Sequence, residues 1–494
     1  MSSDPFQTIR FLAAFAVLAT SQTLLAQFNI GKGEVADLYA NYCASCHGKN
    51  LEGGQGSSLI DGVWKHGDSD EDIARVIRDG LPDTPMIAYS AALDEKQIRG
   101  LVIFLREQME IIDKDALGKR LQPKDGIFKS KRHSFRLEPI AKGQLINTGS
   151  GILDATLWGF AFLPDSSLLA TQRNGILWHF HEGREPARIE GLPDVWHVGA
   201  ESGLFDIALH PNYKDNGWIY LSYSENVGVI DDGKPAGMTA VVRGRIEDGR
   251  WIDQEYIYQA DKRFHNNAIH HFGSRMIFQD DYLYFSVGDR VLIEDSQDLA
   301  SPVGKIHRVH SDGSIPVDNP FIATTGASTS IWSFGNRNAQ GLAIHPQTGE
   351  LWSTEHGPRG GDELNLIRKG QNYGWPVITY GINYDGKPIT HLTEQDGMEQ
   401  PIHHWTPSIA TGGMAFYSGG EFKKWTGDLF VGGMWAEELH RIRIKEGRVV
   451  EDEIILKNQG RVRHVVNGPD GSLYLSLTAG DPRVGAIYRI ANAK

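Results

Sequence analysis

The sequence predicts a multidomain chain, a small all-α domain followed by a larger all-β domain of repeated strand pairs. Three observations carry that expectation. Near the N-terminus, stretches with apolar residues at helical spacing flank a five-residue motif that holds the only 2 cysteines of the chain. From about residue 134 onward, an apolar strand, a turn rich in Pro, Asp, Asn or Gly, and a second strand recur. With 494 residues, the chain also exceeds what one compact core holds. Its 40% hydrophobic and 22% charged residues are those of an ordinary globular protein. The formal net charge of −13 argues against nucleic acid or an anionic membrane surface as main partner. Its 56 glycines and 12 tryptophans suit an all-β domain with many tight turns.

At the N-terminus, Arg10 precedes an apolar run, Phe11 to Thr20, continued by Leu24-Leu25-Ala26. The run is too short and too interrupted for a membrane span. It reads as an export signal over residues 1–26, cleaved near Ala26 and directing the protein to the periplasm. An uncleaved anchor is the alternative.

The five-residue motif is Cys43-Ala44-Ser45-Cys46-His47. Two thiols two residues apart with a following histidine are the attachment signature of c-type haem. Cys43 and Cys46 add to the vinyl groups and His47 ligates the iron. A thioredoxin-like pair or a small disulfide would not need His47. The motif ends a helix expected over Glu34 to His47, with Val35, Leu38, Tyr39 and Tyr42 on one face. A second helix is expected over Glu71 to Asp79, capped by Asp68 or Ser69 and closed by Gly80. A third is expected over Glu95 to Gln108, with Asp94 as its N-cap and Ile98, Leu101, Val102 and Leu105 as its core stripe. Between the last two, Leu81-Pro82-Asp83-Thr84-Pro85-Met86 is a proline-stiffened loop presenting a thioether, which makes Met86 the candidate second axial ligand and His66 its competitor. Residues 27–109 thus resemble a class I-type cytochrome c domain. Residues 110–133 are charged and poor in aromatics, and read as a linker.

Over 134–494 the strand–turn–strand unit recurs six times, beginning at Gly159, Phe205, Met276, Leu342, Met414 and Val465, at a spacing of about 60 residues. Units that cannot bury both faces alone imply a six-bladed β-propeller. Ser134 to Ile146 is expected to pair with Ala486 to Ile490 and close the ring. Propeller sites lie in the loops at one mouth of the channel.

Four loops carry candidate chemistry. His265, His270 and His271 precede a strand, a pattern open to metal ligation or to simple surface polarity. Arg337-Asn338 lies between glycines. Glu355 to Glu363 is a turn dense in acids and carbonyls, suited to a hard cation such as calcium. Arg461 and Arg463 alternate along a strand and would clamp carboxylates. Together they suggest a flat, multiply anionic ligand plus a cation.

The second domain resembles the soluble quinoprotein glucose and aldose-sugar dehydrogenases, six-bladed propellers that use pyrroloquinoline quinone (PQQ) and calcium. The resemblance rests on His271-Phe272-Gly273-Ser274-Arg275, on residues 337–343, 355–363 and 372–376, and on Arg461-Val462-Arg463. It implies that His271 is the general base taking the proton of a sugar's anomeric hydroxyl. Arg337 and Asn338 would hold the quinone and polarise its carbonyl, and Arg461 and Arg463 its carboxylates. The carbonyls of Gly357 and Pro358 would ligate a calcium, Asp362 would fix the tautomer of the base, and Glu363 and Tyr373 would form a second calcium site.

The chain departs from that pattern at several positions. Glu201 stands where a glutamine is usual near quinone and substrate, and Trp435 where a lysine faces the cofactor. His270 and His356 replace other pocket residues, and Ala339 replaces a proline. The resulting expectation is an exported quinohaemoprotein oxidising an aldose or polyol, with electrons leaving through the haem to an external acceptor. A calcium-dependent lactone hydrolase and a cofactor-free propeller module are the alternatives.

Overall fold

The computed structural model describes residues 33–146, 152–199, 201–230, 233–480 and 482–493. The export segment expected over 1–26 lies outside the described residues. Among the described residues, no helix is long and apolar enough to cross a membrane. The chain divides into two compact units. One takes the chain to Asp115 together with Pro358–Gly361 and Tyr380–His391, and the other holds the remainder.

The first unit is helical. α1 (Glu34–Tyr42) and α2 (Ala44–His47) replace the single helix expected over Glu34 to His47. The break is one residue wide: Cys43 has φ −116° and ψ −36°, while the Cys46 and His47 amides both return to the Cys43 carbonyl at 3.1 and 3.0 Å. α3 (Asp70–Asp79) starts at Ser69, whose hydroxyl accepts from the Asp72 amide at 3.0 Å, and three acids fill its first turn. Gly80, at φ 70°, ends it. α4 (Glu95–Arg120) opens on a reciprocal cap. The Gln97 amide donates to Asp94 Oδ1 at 2.8 Å and the Asp94 amide to Gln97 Oε1 at 3.0 Å.

The expected end of α4 at Gln108 is corrected to Arg120. Residues 109–117 contain neither glycine nor proline and are good helix formers, so nothing stops the helix where the aromatic content falls. Half of the expected linker is therefore helix, and β1 (Phe128–Lys129) follows it. Val35, Tyr39, Ile73, Ile77, Leu101, Val102 and Leu105 form the core of this unit, joined by Ile382. Glu107 and Arg359, both fully buried, form a two-pronged pair at 2.8 and 2.6 Å. The first unit therefore extends beyond the expected 27–109 and incorporates two stretches more than two hundred residues later in the chain.

The second unit is a propeller of six antiparallel sheets, spanning 157–189, 204–259, 276–334, 339–405, 411–457 and 461–492. Each of the six repeats seen in the sequence falls on the first two strands of one sheet. The first strands neighbour one another in succession around the ring, and the last returns to the first. β2 (Ser134–Lys142) pairs with Val484–Asn492, from Phe135 opposite Asn492 to Lys142 opposite Ala486. An N-terminal strand thus completes the C-terminal blade, as expected, and covers the edge that an open sheet would expose. Successive blades bury apolar faces against each other, as where Leu169, Leu177 and Ile189 meet Leu204, Ile207 and Leu221. In five blades the first strand carries a register shift, at 157/160, 204/207, 339/341, 411/414 and 462/464. Bulges of this kind re-aim side chains beside functional sites. The shift at 462/464 leaves Arg463 without a ladder partner.

Candidate active site

In the first unit, Cys43, Cys46, His47 and Met86 line one cavity of about 300 Å³, walled by Leu59, Ile73, Ile77, Leu101 and Leu105. His47 Nδ1 lies 2.8 Å from the Ser57 carbonyl. That partner fixes the ring and leaves Nε2 as the metal-binding nitrogen. Gly56 packs against the imidazole, and a Cβ there would come within 2.7 Å of Cε1. The Met86 loop is held by Thr84, whose hydroxyl donates to the Leu81 carbonyl at 2.9 Å and accepts from the Met86 amide at 3.2 Å. His66 lines the same cavity, so both candidate second ligands are at hand. An apolar cavity holding two thiols and an oriented imidazole fits a covalently bound haem.

In the propeller, His271 sits in the left-handed region at φ 58°. Its Nδ1 is 2.7 Å from Asp289 Oδ1. The other oxygen, Oδ2, accepts from Trp375 Nε1 at 2.9 Å. Burial pushes the Asp289 carboxyl up, but His271 and Arg337 outweigh it and hold it below the usual carboxylate range. The expectation that Asp362 fixes the base is corrected here. Asp362 accepts from the amides of Gly357 and Thr411 at 3.0 and 3.2 Å, and burial pushes its carboxyl up to about 6. Asp289 follows a strand in Val287-Gly288-Asp289-Arg290, a carboxylate beside a cation at a strand end. That pairing is the trace Asp289 leaves in the sequence. Glu201 approaches from the other side, Oε2 accepting from the His271 amide at 2.7 Å.

Arg337 Nη1 donates to the Gly357 and His356 carbonyls at 2.7 and 3.1 Å, with its guanidinium 5.3 Å from the Trp375 ring centroid. Asn338 Oδ1 accepts from the Gly273 amide at 2.9 Å, while its buried Nδ2 has no partner among the described residues. His356 Nε2 lies 2.6 Å from the Thr411 carbonyl, and burial lowers its pKa to about 4, so its ring is neutral.

Arg461 and Arg463 share their surroundings with Arg173 and Arg483, two arginines that the sequence reading did not single out. Burial, then Arg173, Arg461 and Arg483, depress Arg463 to about 9. Burial, then Arg483, depress Arg461 to about 10. Arg463 Nε is buried and, among the described residues, has no hydrogen-bond partner. Two guanidinium groups depressed by burial and by the cations around them, with a buried donor that makes no hydrogen bond among the described residues, fit a ligand carrying several carboxylates. Trp435 is partly buried against the cluster of Trp405, Ile409 and Ala436.

Of the residues expected to hold calcium, the Gly357 carbonyl accepts from Arg337 Nη1 at 2.7 Å, and Pro358 lies in the first unit. Tyr373 donates its hydroxyl to the Leu366 carbonyl at 2.6 Å and accepts from the Arg368 amide at 2.8 Å. Glu363 and Glu355 are both pushed up by burial, Glu363 to about 7. Asn365 Nδ2 reaches Glu363 Oε2 at 3.0 Å and Glu355 Oε1 at 3.5 Å, and its buried Oδ1 has no partner among the described residues. Two carboxylates and an amide oxygen are hard donors that suit a divalent cation.

Residues 154–489 match the family model for glucose/sorbosone dehydrogenase, and residues 33–105 that for the cbb3-type cytochrome c oxidase subunit III. The aldose sugar dehydrogenase YliI of Escherichia coli is 42% identical over 342 residues, covering 68% of this chain and 89% of that protein. The quinoprotein glucose dehydrogenase B of Acinetobacter calcoaceticus is 25% identical, covering 66% of this chain and 82% of that protein. The crystal structure of the soluble E. coli aldose sugar dehydrogenase in its apo-form superposes with a TM-score of 0.65 at 36% identity, over 73% of this chain and all of that one.

Proposed function

The chain belongs to the glucose/sorbosone dehydrogenase family and carries an N-terminal cytochrome c domain, and from that premise we propose that it oxidises an aldose or related polyol at C1, using PQQ and a covalently bound haem. When bound, PQQ would supply a two-electron acceptor and the haem a one-electron outlet to an external acceptor. The observation that carries the reading is the chain of contacts from Trp375 through Asp289 to His271. With Nδ1 turned to a carboxylate, His271 keeps Nε2 to take the proton of the sugar hydroxyl. Asp289 fixes the tautomer and stabilises the imidazolium that forms. Arg337 sets a cation where negative charge would develop, and the Asn338 amide adds a free donor. Arg461 and Arg463, with Arg173 and Arg483 beside them, would take the carboxylates. Glu363, with Glu355 and Asn365, would hold calcium. We further propose export to the periplasm, on the composition of residues 1–26.

The test is to load the full chain with haem, PQQ and Ca²⁺ and follow the haem absorbance as aldoses and polyols are added. Reduction by at least one sugar is expected. A protein that binds PQQ yet shows no haem reduction with any of them would overturn the reading.

A further inference from the structure

Glu201 is an acid whose close partners are histidines, with the Arg290 cation acting on it from beyond ion-pair distance. Its Oε2 accepts the His271 amide at 2.7 Å. Its Oε1 stands 3.6 Å from His270 Nδ1, an ion-pair distance but longer than a hydrogen bond. Among the described residues, neither lysine nor arginine forms an ion pair with it. Arg290 lies nearby, but Nη1 and Nη2 donate to the carbonyls of Gly237, Ala268 and His270 and to Asn266, and among the described residues its buried Nε makes no hydrogen bond. The remaining neighbours are the imidazoles of His270, His271 and His356, cations only when protonated. Burial would push Glu201 up, yet the His270 side chain first, then the charges of His271 and His356 and the His271 amide, hold it below the usual carboxylate range. Its side chain is 38% exposed, beside the general base.

A half-open carboxylate with one oxygen facing only the exposed His270 imidazole at 3.6 Å is an acceptor for a cation, and an ammonium is the cation a sugar can carry. We infer that Glu201 selects substrates bearing a protonated amine next to the hydroxyl that His271 deprotonates, that is, 2-amino-2-deoxy aldoses. This rests on the proposed oxidation at His271. The ammonium donates to Glu201 Oε1, while Oε2 stays on the His271 amide. An N-acetylated sugar of the same shape lacks the charge and loses the contact. A glutamine at this position still accepts from the His271 amide but carries no charge.

The test compares glucosamine, glucose and N-acetylglucosamine on the full chain loaded with haem, PQQ and Ca²⁺, with wild type beside Glu201→Gln. Two readouts are taken, haem reduction and calorimetric binding of each sugar. In wild type, kcat/KM and affinity are expected to favour glucosamine over both others by about tenfold, what one charge-assisted hydrogen bond is worth. In Glu201→Gln that ratio is expected to fall to near one. No preference in wild-type binding, or a preference that survives Glu201→Gln, overturns the inference. Preferential binding of glucosamine without haem reduction by any sugar leaves Glu201 as the selector and overturns the proposed oxidation instead.

Discussion

Asp289 Oδ1 lies 2.7 Å from His271 Nδ1, and the same carboxylate receives Trp375 Nε1 through its other oxygen at 2.9 Å. The base is thereby held from behind by a buried acid that is itself held. Removing the charge while keeping the shape should misplace the proton on the ring. Asp289→Asn is expected to lower kcat by roughly two to four orders of magnitude with little change in KM. Steady-state kinetics with haem reduction as readout checks it, and an unchanged kcat would remove Asp289 from the mechanism.

The haem ligands separate by potential. Met86 and His66 line one cavity, and a thioether ligand raises the haem potential relative to a second imidazole. Met86→Leu is expected to lower the midpoint potential by on the order of 100 mV, whereas His66→Ala leaves it in place. The reverse result in a redox titration would assign the ligand to His66. Gly56→Ala would drive a methyl group against the His47 ring, and is expected to reduce haem incorporation.

Much of this arrangement was legible in the sequence because it is local or periodic. The haem motif is contiguous, the six repeats are the inner strand pairs, and the closing strand is a recognisable apolar alternation. What was missed depends on tertiary proximity. Asp289 is 18 residues from His271, and only the close approach of Gly288 to the His271 carbonyl brings them together. Arg173 and Arg483 are far from Arg461 in sequence, and repulsion between them leaves no trace in composition. The extension of α4 is hidden because charge without aromatics resembles a tether, although its residues favour helix. Residues 380–391 belong with the helices through contacts such as Arg99 Nη2 to the Tyr380 carbonyl, 3.2 Å across 281 residues of sequence.

The Glu107–Arg359 pair is a liability if broken. Both side chains are removed from water, so Glu107→Gln leaves a buried guanidinium uncompensated. Loss of about 3–5 kcal/mol from the haem-bearing unit is expected. The double variant Glu107→Met with Arg359→Leu should recover much of it, since replacing a buried pair by apolar side chains is often neutral. Denaturant unfolding followed by haem absorbance distinguishes the two. Equal stability of wild type and Glu107→Gln would show that the pair contributes nothing.

His440 sets a pH limit on the propeller. Burial alone would push its pKa down, but Asp452 on Nδ1 at 2.7 Å and Glu438 on Nε2 at 3.0 Å raise it to about 9. Because the folded value lies above the ordinary one near 6.5, the proton favours the folded state. That stabilisation is fully present below pH 6.5 and is lost as pH rises through 9. The melting temperature is expected to fall over that window, and the fall to be shallower in His440→Gln. Parallel curves for the two proteins would exclude His440 as the cause.

The arginine cluster makes opposite predictions for the empty and the loaded protein. Arg463 is depressed to about 9 by burial and by Arg173, Arg461 and Arg483, so its charge opposes folding until an anion arrives. Arg463→Met keeps much of the volume and removes the repulsion. Without PQQ, the variant should melt at or above the wild-type temperature. With PQQ, it should bind roughly ten- to a hundredfold more weakly, the cost of one buried charge-assisted contact. Calorimetry with PQQ and thermal unfolding of the quinone-free protein read the two effects separately. A variant that is destabilised when empty yet binds PQQ as tightly as wild type would make Arg463 a structural residue and leave the carboxylates to Arg461.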